Sequence, residues 1–310
     1  MNKFILNSLG AKILVCTTTS KLYVLLQQMG IFSHVPNIIL SDVNEKYDDY
    51  VVYYNDNELR EFHYDEDNVI INYPLDEMNC GHSLLYIAGP LIEKRRQENK
   101  TLTCHAACLS KDGEAILLLG TKGSGKTTMA LNLLTNGYSL VSNDICVIDY
   151  NNPHQLFALG GSKFINLRKS VIERNLPELA TSLKSNNELN YKDNMIFTPE
   201  QLGFNIEQNK VPITRTYILN VNNNFKSLQV DISTSLISKL YLSEDFSRYI
   251  RGSAFHFVNS RNDNIEGYIP SMDNEQLCLA REQMINNLIN ENKIANLSGN
   301  VEDVKEFLLK

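Results

Sequence analysis

One stretch of the sequence, Gly120–Thr127, restricts the fold more than any other. It reads Gly-Thr-Lys-Gly-Ser-Gly-Lys-Thr and matches the pattern G-x-x-x-x-G-K-[ST]. The run Ala115–Leu119 before it is short, continuous and apolar, as in a strand that is buried on both faces. Apolar residues recur at helical spacing from Met129 to Leu134 after it. The stretch therefore predicts a strand, a phosphate-binding loop and a helix in succession.

The residues of this loop have chemical roles that a simple turn does not need. Glycines let the backbone approach an anion, so that successive N–H groups and the helix N-terminus point at phosphate oxygens. Lys126 is predicted to reach the terminal phosphates, and the Thr127 hydroxyl to bind Mg²⁺. A glycine-rich turn that binds nothing would require neither side chain. We therefore predict a nucleotide site that is formed by Gly120, Lys122, Gly123, Ser124, Gly125, Lys126, Thr127 and Thr128.

Length and charge limit the class of protein. A chain of 310 residues can form one large domain or two of ordinary size. Its apolar content is that of a globular protein, and no apolar run approaches the roughly 20 residues that span a bilayer. The segment Met1–Leu6 is too short for the core of a signal peptide, which predicts a cytoplasmic protein without a membrane partner. A net charge of −7 argues against a general nucleic-acid-binding surface.

The six cysteines are scattered, and a cytosolic protein would keep them reduced. Cys104, His105 and Cys108 lie close enough in sequence to raise a metal site. In a strand, however, His105 would point to the face opposite both cysteines. We therefore favour core packing for the two thiols.

Residues 1–95 predict a small accessory α/β domain, and residues 96–310 a catalytic domain. In the first part, a helix should begin after Thr19, and a second helix should span Ser83–Lys100, with Pro90 kinking or restarting it. Strands are predicted at Lys12–Cys16, Asn37–Leu40, Tyr50–Tyr54 and Asn68–Tyr73.

In the second part, Thr101–Leu109 should form a strand that carries His105. The turn Lys111–Gly113 joins it to the strand before the phosphate loop, because Asp-Gly between apolar runs indicates a hairpin. The polar stretch 182–195 predicts a mobile loop. Further on, Ser233–Leu242 predicts a helix, and Asp273 is expected to cap another.

A phosphoryl transferase also needs an acid. Transfer to an alcohol is assisted by a carboxylate that accepts the hydroxyl proton. Asp144 is our first candidate, because it follows the strand after the phosphate-loop helix, and strand C-termini line the sites of parallel α/β sheets. Asn143 and Asp144 could instead form only a turn. Asp149 is the rival acid, since it ends the semi-apolar run Ile145–Ile148.

The block that runs from His105 through Gly120–Thr127 and Gly137 to Asp144 resembles the HPr kinase/phosphorylase family. That family includes the serine kinases that tailor lasso peptides, and its phosphate-loop core is similar to that of phosphoenolpyruvate carboxykinase. The resemblance implies an α/β fold of this type. His105, Lys126, Thr127 and Asp144 then match the catalytic and metal-binding positions, and Asn143 stands where the family usually has a first metal-binding acid.

What the resemblance implies is an ATP- and Mg²⁺-dependent kinase that phosphorylates a hydroxyl, first of all a serine of a peptide or protein. One alternative is a kinase of free serine or a metabolite, and another is a nucleotide-binding regulatory module with weak or no transfer. A homo-oligomer is left open. The basic residues considered for the transferred phosphoryl group are Lys163, Arg168, Lys192 and Arg215, of which Arg168 and Lys192 are preferred.

Overall fold

The computed structural model describes most of the chain. The described residues are 1–29, 35–43, 47, 50–65, 67–78, 81–152, 154–176, 180–181, 194–232, 236–252, 269–291 and 293–310. Within these ranges, no helix is both long enough and apolar enough to cross a membrane.

The first part of the chain forms a mixed sheet with helices. The strands β3-β1-β2-β4-β6-β5 lie in this order, and β2, β4 and β6 are mutually parallel. The elements are β1 (Asn2–Ser8), β2 (Ala11–Thr17), α1 (Lys21–Met29), β3 (Ile38–Ser41), β4 (Val51–Asn55), β5 (Glu61–Asp65), β6 (Asn68–Asn72) and α2 (His82–Glu98). These bounds confirm the predicted α/β pattern.

Helix α2 is not interrupted at Pro90, so the predicted restart does not occur, and a kink there stays a prediction. It runs without interruption from His82 to Glu98 and is buried nearly all round. It packs against β2 and β6 on one side and against the strand Thr101–Cys104 on the other. A proline inside a helix costs about 3 kcal/mol, which burial of several large apolar side chains outweighs. Residue 95, where the predicted domain boundary falls, therefore lies within a helix that contacts both halves, and the division into two domains stays a prediction.

The second part is built on a larger, bent sheet in the order β10-β8-β9-β15-β12-β11-β7, with β17 beside β15 and β16 beside β17. Its strands, together with the separate pair β13 and β14, are β7 (Thr101–Cys104), β8 (Ala107–Lys111), β9 (Glu114–Leu119), β10 (Ser139–Ser142), β11 (Cys146–Asn152), β12 (Gln155–Gly161), β13 (Ile165–Arg168), β14 (Asn194–Phe197), β15 (Val211–Val221), β16 (Gln229–Ile232) and β17 (Ile294–Gly299). The helices are α3 (Lys126–Leu134), α4 (Lys169–Asn175), α5 (Leu236–Ser247), α6 (Glu275–Asn290) and α7 (Val301–Leu308).

Strand directions bring the predicted site residues to one edge. β15 is parallel to β9, and β17 is parallel to β15. β10 and β9 are each antiparallel to β8, which lies between them, so β10 also runs in the direction of β9. The loops that follow β9 and β10 therefore leave the sheet at the same edge, as expected for a site at strand C-termini.

The predicted strand Thr101–Leu109 is two strands. β7 pairs with β11, whereas β8 pairs with β9 and β10. The chain therefore crosses from one side of the bent sheet to the other, and His105 and Ala106 lie in the break. Cys104 and Cys108 are both buried in the same apolar core, so the thiols do pack there.

Two other predictions need correction in their bounds. Asn274, not Asp273, caps α6, because its side chain accepts a hydrogen bond from the N–H of Leu277. Asp273 instead forms an ion pair with Arg281. Helix α5 continues five residues beyond the predicted end at Leu242, to Ser247. Most of the predicted loop 182–195 lies outside the described residues, and its last two residues begin β14.

Candidate active site

The phosphate loop lies between β9 and α3, as predicted, and two of its glycines are required by close contacts. A Cβ on Gly120, whose φ is 147°, would lie 2.3 Å from Ser124 Oγ. A Cβ on Gly125, at φ 95°, would lie 2.6 Å from the Cβ of Val221. The N–H of Val221 donates to the carbonyl of Ser124 at 2.9 Å. The end of β15 therefore fixes the loop in a conformation that only glycine permits.

The start of α3 offers donors to an anion. Its N-cap is Gly125, which has no capping side chain. The first helical hydrogen bond runs from the N–H of Met129 to the carbonyl of Gly125. The amides of Lys126, Thr127 and Thr128 thus precede that bond and have no acceptor within the helix. An N-terminus of this kind attracts negatively charged oxygens.

Lys126 is buried at the start of this helix. Only 7% of its surface is exposed, and its Nζ donates to the carbonyls of Gly120 at 2.5 Å and Thr121 at 3.2 Å. Burial lowers the pKa of its ammonium group, while Asp144 and Asp245 act in the opposite direction. The cation is thus held against the loop, where a phosphate would meet it.

A cavity of about 680 Å³ opens over the loop. All of the predicted nucleotide-contacting residues, from Gly120 to Thr128, line it. His105 and Asp144 line the same cavity, together with Arg168 and with Tyr241, Glu244, Asp245 and Arg248. The three predicted catalytic residues therefore share one cleft.

His105 and Asp144 are in contact within this cleft. Nδ1 of His105 lies 3.3 Å from Oδ1 of Asp144, whose side chain is 46% exposed. Burial lowers the pKa of His105 to about 4; Asp144 raises it, and Lys126 and Arg248 lower it further. The imidazole is therefore neutral near pH 7, and its contact with Asp144 is not an ion pair.

Asn143 lies apart from the other predicted metal-binding residues. Thr127 and Asp144 line the cavity, but Asn143 does not. It is 5% exposed, and its side-chain amide donates to the carbonyl of Phe164 at 3.2 Å. Among the described residues, no three His, Cys, Asp or Glu side chains gather as metal ligands. Of the three predicted metal-binding residues, the structure thus brings two to the same cavity, Thr127 with its hydroxyl and Asp144 with its carboxylate.

Sequence reasoning missed the contribution of α5. The carboxylate of Asp245 accepts a hydrogen bond from the backbone N–H of His105 at 3.2 Å, and the Tyr241 hydroxyl accepts one from the N–H of Gly120 at 2.7 Å. Burial raises the pKa of Asp245 to about 7, against the effect of the hydrogen bond from His105 and of the charges on Arg248 and Lys126. The helical spacing of Tyr241 and Asp245 was a usable signal, but the predicted helix ended at Leu242.

Of the basic candidates that the structure describes, Arg168 lines the cavity, and Lys163 and Arg215 do not. Lys163 is buried and donates to the carbonyl of Val141 at 2.5 Å. Arg215 donates to Leu308 and Tyr138 instead. Lys192 lies outside the described residues. The structure adds Arg248, which the sequence did not single out.

The rival acid, Asp149, is bound elsewhere. Its carboxylate pairs with Lys210 at 2.6 Å and accepts a hydrogen bond from the N–H of Asn151 at 2.8 Å. It does not line the cavity over the phosphate loop.

Comparisons with known proteins add little to this geometry. No family model matches the chain, and no curated protein is similar to it. Among solved structures, it is similar to the Hpr(Ser) kinase/phosphatase from Coxiella burnetii, at 18% identity and a TM-score of 0.27. That match covers 42% of this chain and 77% of the other. A likeness this weak supports no conclusion about the function of this chain.

Proposed function

We propose that the chain is an ATP-dependent phosphotransferase with an alcohol group as acceptor. The observation that carries the proposal is the single cleft that brings the phosphate loop together with His105 and Asp144. Transfer to a hydroxyl is assisted by a carboxylate beside the terminal phosphate, and Asp144 lies in that cleft with His105 next to it.

In this proposal, the amides from Gly123 to Thr128 and the ammonium group of Lys126 hold the phosphates. Lys126 stabilises the charge that develops on the oxygens during transfer. The hydroxyl of Thr127 and the carboxylate of Asp144 are the residues that would hold Mg²⁺. When bound, the ion would neutralise charge on the β- and γ-phosphate oxygens.

Asp144 is the proposed general base. The hydroxyl oxygen of the acceptor forms the new bond to the γ-phosphorus, the bond to the leaving ADP oxygen breaks, and the proton passes to the carboxylate. Neutral His105 limits the position of that carboxylate through the 3.3 Å contact between its Nδ1 and Oδ1 of Asp144, and Asp245 fixes His105 through its backbone N–H. Both are positioning residues in this scheme.

The acceptor that we propose first, from the sequence resemblance, is a serine of a peptide or protein. A small molecule is the second candidate, and it is favoured by a smaller cavity that adjoins the phosphate cavity at His105 and Asp144. The deciding assay incubates the protein with γ-labelled ATP and Mg²⁺ beside serine peptides, free serine and no acceptor. Parallel incubations with GTP and pyrophosphate identify the donor.

We expect label on a hydroxyl acceptor when ATP is the donor. Nucleotide binding without label on any acceptor would contradict the proposal and would favour a regulatory nucleotide-binding module. The turned-away side chain of Asn143, which leaves a single predicted acid at the metal position, is the observation that supports that alternative.

A further inference from the structure

A second cavity adjoins the phosphate cavity. Its volume is about 260 Å³, and it shares His105, Asp144 and Arg248 with the first. These three side chains therefore stand where the two cavities meet. Much of the remaining wall comes from α2, the long helix between the two sheets, through residues that include Leu85, Tyr86 and Gly89.

Among the described residues, the wall of this second cavity carries no uncompensated charge away from the shared residues. Its charged members on α2, Glu93 and Arg96, are 1% and 3% exposed and lie 3.6 Å apart. Thr103 donates to Glu93 through its N–H at 2.9 Å and its hydroxyl at 2.6 Å, and Arg96 donates to the same hydroxyl oxygen at 2.9 Å. Because these groups compensate one another, the wall suits an uncharged ligand.

Gly89 is the clearest indication that this cavity serves a function. It lies inside α2, in a conformation open to any residue, and a Cβ built on it would have no atom within 4 Å. Glycine is among the poorest residues in a helix interior, and larger side chains would fit without strain. The fold therefore does not require the glycine here, and a large side chain at this position would extend into the open space of the cavity.

The size of the cavity limits what can enter it. At about 30 Å³ of liquid volume for each water molecule, it holds the equivalent of about nine waters. That volume is below the range of about 300–1,000 Å³ that is usual for drug-sized ligands. It is large enough for a group the size of one side chain, and too small for the folded surface of a protein.

We propose that this second cavity is the acceptor pocket, and that it takes a small alcohol with an uncharged, apolar body. The alcohol presents its hydroxyl between His105, Asp144 and Arg248. This inference rests on the proposed function. In the transfer step, the oxygen–phosphorus bond forms there, the bond to ADP breaks, and Asp144 accepts the proton.

The first test measures binding without nucleotide, using benzyl alcohol as the probe. Methyl NMR signals of Leu85, Ile145 and Ile269, which line the cavity, should shift on titration, and that of Ile13 in the first sheet should not. Gly89→Leu should abolish the shifts by filling the cavity, and Gly89→Ala should retain them. Absence of shifts in the folded wild type, or equal shifts in Gly89→Leu, would overturn the proposal.

The second test measures transfer from γ-labelled ATP to benzyl alcohol. In Gly89→Leu, the ratio of label on the alcohol to label released as inorganic phosphate should fall at least about tenfold, which corresponds to 1.4 kcal/mol. Val24→Leu, on an exposed face of α1, is the control and should leave both rates unchanged. Circular dichroism establishes that each variant is folded.

The two proposals fail in different ways. If benzyl alcohol binds to the cavity but no hydroxyl is ever phosphorylated, the kinase proposal is wrong and, with it, the acceptor role of the pocket. If a serine peptide is phosphorylated equally well by wild type and by Gly89→Leu, the kinase proposal stands and the pocket proposal is wrong.

Discussion

The two cavities that meet at His105 and Asp144 are built in different ways. The phosphate cavity takes most of its polar groups from one continuous segment, Gly120–Thr128. The proposed acceptor cavity is assembled from α2, from the break between β7 and β8, and from residues around Tyr249 and Ile269. The first offers the backbone amides of one loop, whereas the second is lined by side chains of separate segments, among them Leu85, Ile269 and the paired Glu93 and Arg96.

This difference follows from what each ligand requires. Phosphate is the same in every nucleotide, so a local motif with fixed spacing can bind it. An acceptor is particular to each enzyme, and the residues that recognise it can come from anywhere that the fold brings together. The phosphate of the nucleotide and the hydroxyl of the acceptor would meet at the boundary that the two cavities share.

Within the phosphate loop itself, the largest effect should come from Lys126→Ala. Removal of the buried ammonium group leaves the transferred phosphoryl group without the side chain that stabilises its negative charge. Turnover of ATP should therefore fall by about 100-fold or more. Steady-state release of phosphate measures the effect. The exposed Lys226, outside both cavities, provides the control Lys226→Ala, which should remain within about twofold of wild type. Equal losses in the two variants would contradict the assignment.

A smaller effect is expected where α5 supports the loop. Tyr241→Phe leaves the N–H of Gly120 without the hydroxyl that accepts it, which should cost about 1–3 kcal/mol of unfolding free energy. The nucleotide should also bind more weakly, because the loop is less well fixed. Urea unfolding and an ATP titration measure the two quantities. Tyr53→Phe, in the first sheet, is the control; if it weakens nucleotide binding as much, α5 has no special role.

A third effect concerns the pH dependence of stability near the boundary that the two cavities share. The pKa of Asp245 is raised to about 7 in the folded state, from an ordinary value near 3.8. Between these two pH values the folded chain holds a proton that the unfolded chain has released, so this group lowers the unfolding free energy as pH rises. Asp245→Asn should remove that decline. The increase in its unfolding free energy relative to wild type should therefore be larger at pH 8 than at pH 5.

His105 should act with the opposite sign. Its folded pKa is lowered to about 4 from 6.5, so the unfolded chain binds more protons in that window, and the group adds stability as pH rises through it. The unfolding free energy that His105→Gln loses relative to wild type should therefore be smallest at acidic pH. Urea unfolding at several pH values measures both variants, and parallel curves for wild type and Asp245→Asn would contradict the burial of that carboxyl.

The sequence predicted what depends on neighbouring residues. The strand, loop and helix around Lys126 follow from a local pattern, and so do α1 and the hairpin between β8 and β9. The meeting of His105 and Asp144 was anticipated from strand order and from a family resemblance, although His105 lies in a break and not in a strand. Asp149 could be set aside only once its pairing with Lys210 was seen.

The rest depends on contacts between distant segments. Asp245 lies 140 positions from His105 in the chain, and no local pattern links them. The path of α2 through Pro90 reflects burial between two sheets, which outweighs the local preference of proline. The open space above Gly89 is visible only when the surrounding elements are in place.

The most direct test of the proposed phosphoryl transfer compares two carboxylates in one experiment. Wild type, Asp144→Asn and Asp149→Asn are incubated with γ-labelled ATP, Mg²⁺ and hydroxyl acceptors, and nucleotide affinity is measured in parallel. If Asp144 is the base, Asp144→Asn should lower transfer by about 10²–10⁴-fold while nucleotide still binds. Asp149→Asn should only reduce stability, because it removes the pairing with Lys210. Transfer that persists undiminished in Asp144→Asn, or that falls equally in both variants, would contradict the account.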